Sequence, residues 1–163
     1  MKFSTIFAAT LATLVSAGHC EPTDESIKLY VNSKADAPQI FGAGISSKHS
    51  GAGINYLYLG QGAETLQYDG FEITSTNTGT KQWLNLDGPF VQLTVASTGG
   101  KRLTWQDVDG KQYLSVNGRT DGFFACKNTG DPYNYSANEY ELMYYPSGGQ
   151  PSSCLRIDGL YKS

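Results

Sequence analysis

Short alternating apolar runs that stop at Asp-Gly or Asn-Gly recur along this chain. Leu66-Gln67-Tyr68 runs into Asp69-Gly70, and Phe71-Glu72-Ile73 resumes the alternation. Trp83-Leu84-Asn85-Leu86 meets Asp87-Gly88, and Phe90–Val95 alternates again. Tyr113-Leu114-Ser115-Val116 ends at Asn117-Gly118. Such a dipeptide between alternating runs signals a β-hairpin, because both positions tolerate the left-handed backbone that a two-residue turn demands.

Further runs of the same kind are Ile27–Val31, Asn55–Leu59, Leu103–Trp105, Phe123–Cys126, Tyr140–Tyr144 and Cys154–Ile157. The spacing predicts an all-β fold of about eleven or twelve short strands in one domain. A β-trefoil-like arrangement suits that number, with a β-sandwich as the alternative. The Gly/Ser-rich stretch Pro38–Gly53 reads as a long loop, as do Asp131–Asn138 and Pro146–Ser153. Eleven Tyr, seven Phe and nineteen Gly, with charged residues at 17%, agree with strands joined by tight turns outside the cell.

The one other apolar segment is N-terminal. Lys2 precedes the run Ile6–Val15, and Val15-Ser16-Ala17 places small residues at the −3 and −1 positions of a cleavage site. Residues 1–17 therefore read as a secretory signal peptide, too short in its apolar part to span a bilayer. A polar segment, 18–26, would follow, and then the all-β domain, 27–163. Loss of Lys2 would take the formal charge from −3 to about −4, and the densest basic cluster is Lys101-Arg102. Charge-driven binding of nucleic acid is not expected. The charged end Cys154–Ser163 lacks the hydrophobic tail of a GPI signal, so neither that anchor nor a membrane span is expected.

Three cysteines in an exported chain imply one disulfide and one thiol left over. Cys126 with Cys154 is the expected bridge, contributing about 3 kcal/mol in the chain-entropy model. Cys20, beside the new N-terminus, is left free, or pairs with another chain, a small thiol or one of the other two.

No enzyme motif stands out. His19 and His49 are the only histidines, and a catalytic triad needs a well-positioned base, for which His49 among Ser46, Ser47 and Ser50 is a weak candidate. Asp107-Val108-Asp109-Gly110 starts like a calcium loop but lacks its closing ligands. Asp87, Asp107 and Asp109 lie near Trp83 and Trp105 in the sequence, a composition found at sugar sites and in glycoside hydrolases, yet each sits at a turn glycine where Asp is favoured for local reasons. No catalysis, metal or cofactor is expected. Four aromatics are candidates for stacking on sugar rings: Trp83, Trp105, Tyr133 and Tyr135. Asn134-Tyr135-Ser136 is the N-glycosylation sequon.

The order of elements from Phe71 to Ile157 resembles secreted fungal cell-wall proteins, namely the PhiA-like proteins and the C-terminal domain of Pir-type mannoproteins. The pattern is Trp105, then Tyr113–Gly118, then Phe123-Phe124-Ala125-Cys126, the Tyr-rich Tyr140–Tyr145, and Cys154-Leu155-Arg156-Ile157. The start Met1–Ile6 also looks like those of yeast wall proteins. Pir-type domains are richer in cysteine and carry glutamine-rich repeats that are missing here, so the resemblance favours the PhiA-like, non-covalently or disulfide-retained type. It implies a non-catalytic, secreted cell-wall mannoprotein that associates with wall polysaccharide or other wall proteins. Two alternatives are a lectin-like carbohydrate-binding module and a small secreted inhibitor or effector that presents Pro38–Gly53.

Overall fold

A computed structural model describes residues 24–33, 37–96 and 102–163. The expected signal peptide, 1–17, and His19, Cys20 and Lys101 lie outside the described residues. Among the described residues fourteen strands make up one sheet. They are β1 (Glu25–Ile27), β2 (Leu29–Asn32), β3 (Gly44–Gly51), β4 (Ile54–Gly60), β5 (Leu66–Tyr68), β6 (Ile73–Ser75) and β7 (Gln82–Asn85). They continue as β8 (Gln92–Thr94), β9 (Leu103–Val108), β10 (Lys111–Val116), β11 (Phe123–Cys126), β12 (Glu141–Tyr144), β13 (Leu155–Arg156) and β14 (Gly159–Lys162). All-β architecture is thus as expected, with more strands than the sequence suggested.

The excess has three sources. The run Ile27–Val31 breaks at Lys28 into β1 and β2, which pair with different partners. Strand β14 follows so closely on β13 that it hides behind the Cys154 run. Most of Pro38–Gly53 is not a loop: Pro38–Ile40 forms a 3-10 turn and Gly44–Gly51 is β3, the longest strand. Serines, Lys48 and His49 disguise it, because only Gly44, Ile45 and Ser50 are buried, while Ser46, Ser47, Lys48 and Gly51 are half-buried and His49 is exposed. What fixes β3 as a strand is its ladder with β4, from Gly44↔Gly60 to His49↔Asn55.

Every strand pairing is antiparallel. The main path runs β1-β5-β6-β7-β8-β4-β3-β2-β14-β10-β9. Strand β4 is the branch point. One edge carries β3, whereas the other carries β8 along Ile54–Tyr56 and then β12 at Tyr58. Strand β12 in turn holds β11, which holds β13. The far ends of the path are drawn together, since the Tyr68 hydroxyl on β5 lies 3.2 Å from the Leu103 carbonyl on β9. Lys28 and Ser163 exchange backbone hydrogen bonds of 3.1 and 3.0 Å.

Leu29, Val31, Ile45, Leu57, Leu93, Leu114, Phe123, Leu142 and Leu160 point to the interior and are fully buried. The opposite face of β11 and β12 carries a second cluster, in which Phe124, Cys126 and Met143 meet Phe90, Tyr145 and Cys154. Its centre is the Cys126–Cys154 disulfide, with an S–S distance of 2.02 Å. The bridge clamps the ends of a 28-residue excursion that contains β12 and both flanking loops.

Two turns show the hairpin chemistry directly. Asp109-Gly110 joins β9 to β10 with φ of 52° and 76°, and Asn117-Gly118 follows β10 with φ of 52° and 82°. Both pairs adopt the left-handed geometry that a right-twisted hairpin needs. Gly44 serves another purpose. A Cβ there would lie 2.5 Å from both the Ala63 nitrogen and the Gly62 carbonyl carbon, so its bare backbone lets the β4–β5 connection fold onto β3. Gly44→Ala is therefore expected to lower stability by about 1–3 kcal/mol in chemical denaturation. Gly62→Ala, which meets open space, should stay within about 0.5 kcal/mol of wild type.

Candidate functional site

Side chains alternate across a strand, so Ser46 and Lys48 of β3 share a face with Tyr56 and Tyr58 of β4. Glu141 of β12 stands opposite Tyr58 and joins the same face. The connection between β11 and β12 folds over these residues. Asp131 organises it, accepting hydrogen bonds from the Tyr135 N–H at 2.8 Å, the Ser136 N–H at 2.9 Å and the Ser136 hydroxyl. Ser136 also receives the Thr129 N–H on its Oγ at 3.1 Å and the Asn128 N–H on its carbonyl at 2.9 Å. Asn134, at φ 58° and ψ 27°, turns the chain into the 3-10 segment Tyr135–Ala137.

This loop lays aromatic rings on the hairpin. Tyr135 meets Tyr58 edge-on at 5.9 Å and stacks on Tyr133 at 5.9 Å. Tyr133 is 53% exposed and touches His49, with ring centroids 5.6 Å apart. The Lys48 ammonium sits 5.1 Å from the Tyr135 ring centre and 5.7 Å from that of Tyr58, and it pairs with Glu139 at 2.5 Å. The result is a surface patch of stacked tyrosine faces with an ammonium, a carboxylate and an imidazole beside them.

Beneath the patch lies a buried polar layer. Glu141 is fully buried; one carboxylate oxygen accepts the Thr129 hydroxyl, and the other has no hydrogen-bond partner among the described residues. Burial, outweighing the Thr129 hydrogen bond and helped by the charge of Asp131, raises its pKa to about 7. Burial would raise Asp131 too, but the Ser136 hydroxyl and the N–H groups of Ser136 and Tyr135 pull it below the usual carboxylate range. Burial and then the nearby carboxylates push the Tyr58 and Tyr56 hydroxyls above their ordinary value. Two carboxyls pushed apart in this way can in principle serve as acid and base. Here the raised one is fully buried beneath the loop.

The expected site residues part company. Tyr133 and Tyr135 come together on the patch, whereas neither tryptophan contacts them among the described ring pairs. Trp83 lies half-buried on β7 with the Lys81 ammonium 5.5 Å from its ring. Trp105 on β9 packs on the main core, meets Tyr68 edge-on at 5.4 Å and has Lys162 4.8 Å from its ring. Its indole N–H is buried without a partner among the described residues, which fits a packing role better than a sugar platform. None of Ser46, Ser47 and Ser50 hydrogen-bonds to His49 among the described residues. Ser47 instead gives its N–H and hydroxyl to Glu64, at 2.8 and 2.7 Å, and Ser50 bonds to the Lys48 carbonyl at 3.1 Å. Asp107 accepts the Gly110 N–H at 3.2 Å, a turn bond, and Asp109 supplies the left-handed turn residue. No group of three or more metal-ligating side chains occurs among the described residues.

Lys48, Tyr58, Asp131, Glu139 and Glu141 were not singled out from sequence. Only Asp131 offered a signal: an Asp five residues before a Ser, in a polar loop, can close that loop on itself.

Comparison with known proteins adds a relationship. The chain is 32% identical over 163 residues to cell wall protein PGA30 of Candida albicans, covering 96% of this chain and 54% of that protein. It is 36% identical over 159 residues to cell wall protein PGA31 of the same yeast, covering 93% and 50%. To its cell wall protein RHD3 it is 33% identical over 148 residues, covering 87% and 66%. The chain spans about half the length of the first two and 66% of the third. These similarities support a fungal cell-wall protein family. No family model and no solved structure matches the chain.

The buried carboxyl gives a test of the polar layer. Because the Glu141 pKa is raised on folding, the folded state holds this proton more tightly than the unfolded chain does. Its contribution to stability is fullest below the unfolded value of 4.5 and is lost as pH rises to about 7. The loss is on the order of 3 kcal/mol. Denaturation curves should show wild type weakening from pH 5 to pH 8, and Glu141→Gln should flatten that slope and exceed wild type at pH 8.

Proposed function

We propose that this chain, a relative of Candida albicans cell wall proteins, is a secreted, non-catalytic cell-wall glycoprotein module that associates with wall polysaccharide. The finer likeness to PhiA-like proteins belongs to this reading, as do cleavage after Ala17 and a role for Cys20 in retention by a disulfide. Its cell-wall location is supported by what those relatives are named. No helix among the described residues is long and apolar enough to cross a membrane.

The observation that carries the reading is the Tyr133–Tyr135 stack, in which Tyr133 is exposed and Tyr135 half-buried. A pyranose ring has an apolar C–H face and a polar rim, and a tyrosine offers the same division. The patch supplies ring faces from Tyr133 and Tyr135, with Lys48, Glu139 and His49 within reach of hydroxyls. Asp131 and Tyr58 hold the rings before any ligand arrives, which limits the entropy lost on binding. A lectin acting on soluble glycans would use the same surface. The inhibitor alternative loses its presenting loop, since residues 44–51 are strand.

Asn134 carries the N-linked glycan in this reading. Its side chain is exposed, yet Ser136 is only 1% exposed and its hydroxyl is engaged by Asp131. The sequon is thus open to a transferase before the loop closes and shut afterwards. Glycosidase treatment of the secreted protein should lower its mass, and Asn134→Gln should abolish that shift.

Fractionating a fungal culture that expresses the chain tests the location. Recovery from the wall is expected, with detergent, reductant or glucanase as the releasing agent that identifies the linkage. Recovery from the medium alone would overturn the reading. Purified Tyr133→Ala should sediment with isolated walls about tenfold less tightly than wild type, the equivalent of ~1.4 kcal/mol.

A further inference from the structure

A groove of about 450 Å³ opens between the 38–43 turn and the β4–β5 connection. Phe41, Gln39, Gln61 and Tyr140 stand around it, and no charged side chain lines it. Phe41 is 57% exposed, unusual for a phenylalanine with so much apolar surface to lose from water. Gln39 and Gln61 are exposed, and their amides have no hydrogen-bond partner among the described residues.

The groove is built in advance. Gly42 takes φ 72° and gives its N–H to the Val31 carbonyl at 2.9 Å, while Ala43 bonds back to Ile40 at 3.1 Å. The opposite wall is fixed where Glu64 bonds to Ile45 at 2.9 Å, and by the close backbone approach at Gly44. Tyr140 is anchored through its carbonyl, which accepts the Leu59 N–H at 2.9 Å. The volume lies in the range of small-molecule sites.

We propose that this groove binds a neutral oligosaccharide, with Phe41 stacked on a sugar ring and the Gln39 and Gln61 amides on its hydroxyls. The occupant follows from the lining. No charged side chain lines the groove, and the cation beside it, Lys127, is engaged on the Tyr140 ring 4.8 Å away. A wholly apolar ligand would strip water from two amides and return no hydrogen bond, which costs more than it gains. A polyhydroxylated ring satisfies both kinds of surface. The groove also lies close to the tyrosine patch. Gly60 lines it and Tyr58 underlies the patch, two residues and about 7 Å apart on one face of β4. Glu139 and Tyr140 make the same link in the next segment. One extended chain therefore reaches both. This inference rests on the proposed association with wall polysaccharide and names the ligand class and a second site for it.

The test is a titration of the folded, isotope-labelled protein, followed by its amide resonances. The probes are neutral gluco-, manno- and N-acetylglucosamine hexamers, with a uronic-acid hexamer as the charged control. Shifts in residues 39–43 and 60–61 are expected with at least one neutral hexamer, and weaker shifts with the charged one. Phe41→Ala, at an exposed position, should weaken that binding at least tenfold, and Gln61→Ala should weaken it severalfold. The proposal is overturned if no neutral hexamer moves those resonances, if both groove variants bind like wild type, or if the charged hexamer binds equally well. Sedimentation with isolated walls separates the two readings. Wall binding that survives alongside a silent groove removes this site alone, and loss of wall binding by the wild type removes the broader reading.

Discussion

Strand β4 has two edges and three partners, and the rest of the molecule is arranged around that imbalance. Its β3 edge is filled along nearly its whole length. Its other edge is shared, first by β8 and then by β12. A backbone group buried without a partner is costly, so once β8 departs after Tyr56 something must take over at Tyr58. Strand β12 does so, with help from bonds of Leu57 to Val91 and Leu59 to Tyr140 at 3.1 and 2.9 Å. The handover divides the molecule into a large core on one side of the sheet and a smaller layer on the other. The tyrosine patch grows from the second side, where a loop rather than a strand closes over the sheet, whereas Ile40, Ala43, Leu59 and Tyr140 of the groove pack on the main core.

That second layer is stabilised differently from the first. The main core is aliphatic and non-directional. The small layer combines a sulfur-rich cluster at the disulfide with a network of directed bonds through Asp131, Ser136, Thr129 and Glu141. Directed bonds set ring positions closely and so suit a recognition surface, but they also make the layer sensitive to ionisation. Glu141 stands where the two kinds of packing meet.

Much of the β grammar was legible from sequence, because tight turns depend on local chemistry. Asp109-Gly110 and Asn117-Gly118 behave as their residue types require. The disulfide joins the two cysteines that lie within the domain. What could not be read is decided at long range. Strand β3 looks like a loop until β4 pairs with it. Strand β14 depends on Gly159, where a Cβ would lie 2.7 Å from the Tyr113 ring. A glutamate in the Tyr-rich run Tyr140–Tyr144 reads as solvent-facing; it is buried only because a loop arriving from Lys127 covers it. Tyr133 was recognisable as exposed, but Lys48, ninety-one residues before its partner Glu139, was not.

The proton on Glu141 has a consequence for how long the molecule lasts outside the cell. Extracellular proteases cut chains that have opened, and where opening is fast the rate of loss follows the population of the open form. A loop whose underlying carboxyl prefers to be neutral opens less often in acid than in alkali. Acidic surroundings would then lengthen the working lifetime of the protein, and alkaline ones would mark it for turnover.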